Sequence, residues 1–545
     1  MKNQFKLAGI ALLFLFYGSL FAQDVVKYNR EIWLKKAEEF KPELSKDVIQ
    51  PKGIVELVED ERAFQGWTVK ELGAVESIYE RSFNELKTVI VDFGNHYTGY
   101  FSMNFRTLRG TPDGPLRFKL TFAEVPAELA TPFDPYPGAL SRAWLQDEII
   151  TVTDALSEVK LERRISGRYM KIELLGSSRY FDFAVSDLKF TAVTSVKEKP
   201  ETLAESADDI IKKIDQVGLN TLKECMQTVY EDGPKRDQRL WIGDLYLESI
   251  ANAVSYNNHD LTKRCLYLLA GLSDERGVVH GTVFEAPEPH PQSGQFLYDY
   301  ALLFNVTLKE YFEATNDKET VSELFPVAKR QLEIINDYVQ PDGIIDFEKA
   351  NSEWWLFFDW KNDLHKAASV QGLSIFALSE TYKLAELVDR EDELKDVPEL
   401  IKRMKRGSMK LYNKKINLFE SGSDQQISYA SQIWMILGGV LSKKESQKTL
   451  NSLLSMENAV QPGGPYMYHY FIQALVNSGM HSEAKEYLVD YWGGMVKKGA
   501  DTFWEVYDPD NDYLSPYNFY PVNSYCHAWS CTPVYFIRKY PEIFQ

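Results

Sequence analysis

The chain has 545 residues, a formal net charge of −18 and 13% aromatic residues. That length carries two domains or more with large cores, and so acidic a balance excludes a protein built to grip nucleic acid by its phosphates. Four cysteines, Cys225, Cys265, Cys526 and Cys531, exclude a disulfide scaffold and leave any pairing, Cys526 with Cys531 included, open. Eight scattered histidines, with no Cys-x-x-Cys or His-x-x-x-His run, lead to the expectation of no metal site and no cofactor.

In chain order, Met1–Ala22 begins with Lys2 and Lys6, runs apolar from Leu7 to Phe21 and ends Leu-Phe-Ala before Gln23. This pattern predicts a cleavable secretory signal, too short and wrongly flanked for a membrane span. No cysteine follows the cleavage site, so no lipid anchor is expected, and no later stretch reads as a span. The mature chain is expected in the periplasm or outside the cell. Residues 23–76 read as a lead-in, with a short helical pattern around Glu31–Phe40.

Over residues 77–196 the texture becomes that of strands. Thr88-Val-Ile-Val-Asp-Phe, Leu116-Arg-Phe-Lys-Leu-Thr-Phe and Tyr169-Met-Lys-Ile-Glu-Leu-Leu alternate or run apolar between Gly, Pro, Asn and Asp, and Phe183–Val193 reads as a closing strand. The prediction is an antiparallel β-sandwich of jelly-roll type. Within it Arg142 and Trp144 read as rim or core packing before glycan contact.

A polar connector at 197–200 opens the last region, 197–545, where the period changes to that of helices. Ile210, Ile214, Val217, Leu222 and Met226 mark one apolar face of the first. Further runs fall at about 243–256, 260–272, 296–315, 321–338, 366–388, 394–413, 428–441, 466–478, 481–497 and 523–538. Helical hairpins with chemically loaded loops between alternate pairs suggest a closed ring; no strict repeat is visible, and the reading of that ring as an (α/α)6 barrel leans partly on a family resemblance.

Chemistry concentrates in Tyr230-Glu-Asp-Gly-Pro-Lys-Arg-Asp-Gln-Arg-Leu-Trp-Ile-Gly-Asp244. Gly233-Pro234 must break a helix arriving from the N-terminal side, since proline lacks an N–H and glycine favours turns. A loop dense in carboxylates and arginines is therefore presented at a helix end, where rigid scaffolds carry their chemistry. Aromatic residues recur beside the acids; flat rings take a sugar's apolar face while carboxylates take its hydroxyls.

This run resembles the acidic signature of glycoside hydrolase family 78, the inverting α-L-rhamnosidases, Asp-Cys-Pro-x-Arg-(Asp)-Glu-Arg-x-Gly-Trp-x-Gly-Asp. Asp232, Pro234, Arg236, Trp241, Gly243 and Asp244 fall on matching positions. Gly233 stands where the family has Cys, and Asp237 stands at the family's catalytic Glu. An aspartate can donate a proton, but its shorter arm requires a different sugar pose. The resemblance implies Asp237 as general acid, with Asp232, Arg236, Trp241 and Asp244 around the sugar and Arg236 directed at Asp232 or Asp244 and away from the acid.

Gly499-Ala-Asp-Thr-Phe-Trp-Glu505 is similar to the family's base-carrying Gly-x-Thr-Thr-x-Trp-Glu, with Thr502, Trp504 and Glu505 matching. The resemblance implies Glu505 as general base and Trp504 as part of the pocket; a Glu beside Phe503 and Trp504 would be partly desolvated, which suits proton transfer. In Asn351-Ser-Glu-Trp-Trp-Leu-Phe-Phe-Asp-Trp360 it implies Asp359 as a hydroxyl acceptor and Trp360 as a stacking ring, and in Asn523-Ser-Tyr-Cys-His-Ala-Trp529 it implies His527, read as helical, as a ligand. The implied activity is cleavage of terminal α-L-rhamnosyl, or closely related deoxysugar or uronyl, residues from oligo- or polysaccharides. A polysaccharide lyase, an unsaturated uronyl hydrolase and a glycan-binding protein without catalysis stay open as alternatives, as does the oligomeric state.

Overall fold

The computed structural model describes residues 28–545, so the leader expected over 1–22 lies outside the described residues. Those residues form two compact units, one of 42–238 with 489–534 and Gln545, the other of 28–41, 239–488 and 535–544.

The first unit holds an antiparallel sheet of nine strands: β1 (Ser45–Ile49), β2 (Gly53–Glu59), β3 (Trp67–Gly73), β4 (Thr88–Arg109), β5 (Leu116–Ala123), β6 (Asp147–Val152), β7 (Val159–Lys160), β8 (Ile165–Gly176) and β9 (Asp182–Thr194). The main order is β1-β9-β4-β8-β5-β6, with β2 joining β4 and β3 outside β2. β4 pairs with β8 from Thr88 to Gly99 and with β9 from Gly99 onward, so one long strand serves both layers of a sandwich. Gly99 marks the handover: a Cβ there would lie 2.0 Å from the Thr191 carbonyl oxygen, so only glycine lets β4 pass β9 this closely.

Alternation along the strands sends Val91, Phe101 and Met103 of β4, Phe118, Leu120 and Phe122 of β5, Ile172 of β8 and Phe183 and Phe190 of β9 into one apolar cluster between the layers. Residues 23–76, expected as a lead-in, contribute a helix over 28–39 and the strands β1 to β3. Arg142 pairs with Asp134 at 2.8 Å and with Asp147, which makes it part of the sandwich rim.

In the other unit the helices Ile242–Ala253, Tyr298–Thr315, Ala367–Leu387, Tyr429–Leu437 and Pro465–Ser478 pack against one another in succession. Nearly every residue of Ile242–Ala253 is buried, Asp244, Glu248 and Asn252 included, so burial marks no single face of this inner helix. Outer helices alternate with them: His259–Gly271, Lys318–Asn336, Val397–Ser408 and Lys443–Leu454. The outer helix Lys443–Leu454 escaped the periodicity reading, yet Ser442 and Glu445 form a capping box at its start, a signal the sequence does carry. No helix among the described residues is long and apolar enough to cross a membrane.

Residues 523–532, expected as the start of a helix, are instead a loop with a 3₁₀ turn at Ala528–Cys531, and the helix proper is Pro533–Lys539. Backbone bonds to distant partners hold it: His527 N–H donates to Phe503 O at 2.9 Å and Ala528 N–H to Asp232 O at 2.7 Å. All four cysteines are buried thiols, with the Cys225 and Cys526 sulfurs 4.0 Å apart.

A buried charge cluster in the first unit ties the sandwich to the loop at 231–238. The Lys235 ammonium donates to Glu128, in the short helix Pro126–Ala130, at 2.7 Å and lies 2.9 Å from Glu124, just past β5, and all three side chains are enclosed. Burial pushes the Glu124 carboxyl up, but Lys235 and His96 beside it hold it at about 2. Replacing Lys235 with methionine strands two buried carboxyls without their cation. Lys235→Met is therefore expected to lower stability by about 3–5 kcal/mol in urea unfolding followed by tryptophan fluorescence, whereas a loss below about 1 kcal/mol would mean the cluster behaves as a solvated surface pair.

Candidate active site

The helix Asp209–Cys225 ends in a short bridge between Met226 and Tyr230, and the charged loop follows. Its turn folds tightly: a Cβ on Gly233 would meet the Arg236 carbonyl oxygen at 2.4 Å and Ser524 Oγ at 2.7 Å. The backbone N–H of Asp237 donates to both carboxylate oxygens of Asp232, at 3.2 and 3.1 Å. Asp232, expected at the sugar hydroxyls, is thus buried and directed at the loop's own backbone, where it sets the place of Asp237.

Arg236 corrects a second expectation. Its guanidinium does not turn away from Asp237; it lies between Asp237 and Glu505. One terminal nitrogen forms an ion pair with Glu505 and the other sits 3.5 Å from Asp237, while Nε donates to Val522 O at 2.6 Å. The plane of the guanidinium lies over the Tyr517 ring at 4.2 Å. Burial opposes its charge, but Glu505, Tyr517, Asp237 and Asp232 hold its pKa well above the usual arginine value.

Glu505 accepts from Arg236, from the Tyr517 hydroxyl at 2.5 Å and from the Ser524 N–H at 3.4 Å. Three donors thus converge on the oxygens of one carboxyl. The Trp529 indole N–H fixes its backbone through the Glu505 carbonyl at 2.9 Å. The Glu505 side chain is 2% exposed and that of Asp237 16%, so one carboxyl is held deep and the other stands at the open side of the same loop cluster.

Two residues expected as ligands, Trp504 and His527, are buried. Trp504 stacks on Phe64 with ring centroids 3.9 Å apart and meets Tyr507 and Tyr525 edge-on, so its faces are covered. His527, buried against Trp529 at 4.2 Å, is kept neutral by burial and by the charge of Arg236. Tyr517 was missed from sequence because it sits in an irregular stretch between motifs, with no spacing to mark it.

The second unit gathers its own group of acids and aromatics. Trp241 meets Tyr300 and Trp355 edge-on at 6.2 and 6.3 Å, and Asp244 is buried in the first turn of Ile242–Ala253. Asp359 accepts the N–H groups of Gly463 at 2.6 Å and Trp360 at 2.9 Å, yet burial still pushes its carboxyl up to about 7. Trp360 stands edge-on to Phe357 at 5.1 Å. Asp299, not singled out by any motif, accepts from Phe357 and Phe358 N–H at 3.3 and 3.1 Å, and burial raises it to about 6.

A sandwich, a ring of helical hairpins and a pair of loop carboxyls bridged by an arginine define a six-hairpin glycoside hydrolase. The family model described as the glycosyl hydrolase family 78 alpha-rhamnosidase N-terminal domain matches residues 51–192, and that of the bacterial alpha-L-rhamnosidase 6 hairpin glycosidase domain matches residues 201–540. A Klebsiella oxytoca rhamnosidase solved with rhamnose bound is 37% identical, with a TM-score of 0.90 over 94% of this chain and 99% of that one. The chain belongs to glycoside hydrolase family 78, the α-L-rhamnosidases, and its helical region is an (α/α)6 barrel.

The family 78 rhamnosidase of Bacillus sp. GL1 shares the fold at 18% identity and a TM-score of 0.69, over 83% of this chain and 46% of that one. The Streptomyces avermitilis α-L-rhamnosidase, solved with L-rhamnose, does so at 14% and 0.62, over 84% and 43%. No curated protein matches the chain.

The Tyr517 hydroxyl supplies one of the three donors that fix Glu505, while its ring supports Arg236. Tyr517→Phe keeps the ring and removes only the donor. Steady-state kinetics should show kcat roughly tenfold lower, equivalent to about 1.4 kcal/mol, with KM within about a factor of two; an unchanged kcat would show that Arg236 and the Ser524 N–H suffice to position the carboxyl.

Proposed function

We propose that the chain removes terminal α-L-rhamnosyl, or closely related deoxysugar, residues from oligo- or polysaccharides with inversion of configuration, and that the leader at 1–22 exports it to the periplasm or beyond. Asp237 is the general acid and Glu505 the general base. The observation that carries this reading is Arg236 set between the two carboxyls, paired with Glu505 and 3.5 Å from Asp237. A guanidinium interposed between two acids keeps them from touching, and inverting hydrolysis needs such a gap, about 6.5–9.5 Å, for the attacking water.

In this mechanism Asp237 gives its proton to the glycosidic oxygen as the bond to the anomeric carbon breaks. Glu505 takes a proton from water attacking the opposite face. Its hydrogen bonds to Tyr517 and Ser524 hold it as an acceptor before the step, and Arg236 supplies a fixed positive charge beside it. Preorganised groups of this kind lower the barrier because they need no rearrangement as charge moves. Asp232 acts on the acid through the Asp237 backbone N–H, and direct contact with the sugar is not part of its role.

The two carboxyls are separable by leaving group. Glu505→Gln should lower kcat on the order of 10²–10⁴-fold for every α-L-rhamnoside, because the amide cannot take the proton. Asp237→Asn should reduce hydrolysis of rhamnosides with a sugar leaving group by a similar factor but spare activated aryl α-L-rhamnosides, whose leaving group needs no proton. Equal losses on both substrates for Asp237→Asn would make that residue a ligand and place the acid elsewhere.

A further inference from the structure

Two thiols of the first unit meet from opposite ends of the chain. Cys225 closes the helix Asp209–Cys225, and Cys526 lies in the loop before the 3₁₀ turn Ala528–Cys531. They are 301 positions apart in sequence, yet their sulfurs stand 4.0 Å apart and neither side chain is exposed. The Cys526 thiol also donates to the Thr221 carbonyl at 3.9 Å, one turn back along the helix that Cys225 closes. Ala528 completes the enclosed cluster around the two sulfurs.

The backbone is pinned on both sides of the pair. The Cys225 carbonyl accepts the N–H groups of Gln227 at 3.1 Å and Glu231 at 2.9 Å, which ties it to the start of the loop that carries Asp237. The Cys526 carbonyl accepts the Ser524 hydroxyl at 2.7 Å, and the Ser524 carbonyl accepts the Glu505 N–H at 3.0 Å. Bonded sulfurs lie about 2.05 Å apart, so about 2 Å remains for the two side chains to close by rotation about their Cα–Cβ bonds. A bond across so long a stretch of chain restricts the unfolded state strongly, which is how a disulfide stabilises.

We propose that Cys225 and Cys526 are joined by a disulfide in the exported protein, and that this bond staples the stretch leading to Asp237 to the stretch that holds Glu505. Cys265 and Cys531 stay thiols. Both partners are enclosed in the folded chain, so the bond forms as the chain folds. One thiolate attacks a disulfide oxidant, oxidised glutathione or the disulfide of an oxidoreductase, and the second thiolate then displaces it. Two electrons and two protons pass to the oxidant, which leaves as two thiols. The oxidising surroundings rest on the export reading of residues 1–22, whereas the pairing rests on the sulfur geometry.

Peptide mapping without reductant tests the pairing. Protein exported by its own leader is unfolded in urea with iodoacetamide, digested and read by mass spectrometry. The expected map shows one linked pair of peptides, carrying Cys225 and Cys526, with Cys265 and Cys531 alkylated. If the leader does not deliver the chain outside the cytoplasm, the same map is taken after refolding from urea with reduced and oxidised glutathione, so that a failed export reading is told apart from a failed pairing. Four alkylated cysteines, or a link between Cys526 and Cys531, would overturn the inference in either preparation. Reductant should lower the thermal midpoint of the linked protein by about 3–5 °C, and Cys225→Ala should abolish that dependence. A midpoint indifferent to reductant would contradict the staple.

Discussion

A lysine buried among carboxylates at the end of a β-strand is the constraint on which the first unit depends. Lys235 is 1% exposed, and a lone ammonium at that depth would cost several kcal/mol. Glu124 and Glu128 offset that cost, but they follow β5 and lie in and before the short helix Pro126–Ala130, so the loop closes where that segment delivers them. Glu124 also accepts the Tyr525 N–H at 2.7 Å and touches His96 at 3.0 Å, and Arg164 of the sandwich holds Glu231 at 2.6 Å. Sandwich side chains thus fix both the loop before Asp237 and the loop after Glu505. The next residue along from Lys235 is Arg236, which makes the contact to both carboxyls. The β domain, which supplies no side chain to the proposed chemistry, thus shapes the loops that carry the proposed acid and base.

How much of this was legible in the chain depended on whether neighbours along the sequence or neighbours in space decide the outcome. β4, β5, β8 and β9 were readable because alternation buries Val91, Phe101, Leu120 and Ile172 on one face. β1 was not, since its residues are mostly exposed at the sheet edge and no alternation survives. The inner helices hid their faces by being buried all round. Tyr525, Ala528 and Trp529 mimic helical spacing, but long-range backbone bonds to Asp232 and Phe503 hold that stretch as a loop.

The same division runs through the site. Asp237 and Glu505 stand in local motifs with telling neighbours, so sequence alone proposes them as acid and base. The direction of Arg236, the inward turn of Asp232 and the enclosure of Trp504 by Phe64 are decided by partners remote in the chain. Tyr517 combines both difficulties, lying in a loop without periodicity and meeting Glu505 only in the folded state. At 37% identity to a rhamnosidase over nearly the whole length of both chains, the fold and family are secure while such side-chain arrangements have to be read from this chain's own contacts.

The central claim is that two carboxyls held apart by Arg236 act on opposite faces of one sugar. Proton NMR recorded during the first seconds to minutes of aryl α-L-rhamnoside hydrolysis tests it most directly, because it reads the anomeric configuration of the sugar before mutarotation. The account predicts that β-L-rhamnose forms first and the α anomer grows in later. If α-L-rhamnose forms first, the reaction retains configuration, and the assignment of Glu505 as a base for water is contradicted.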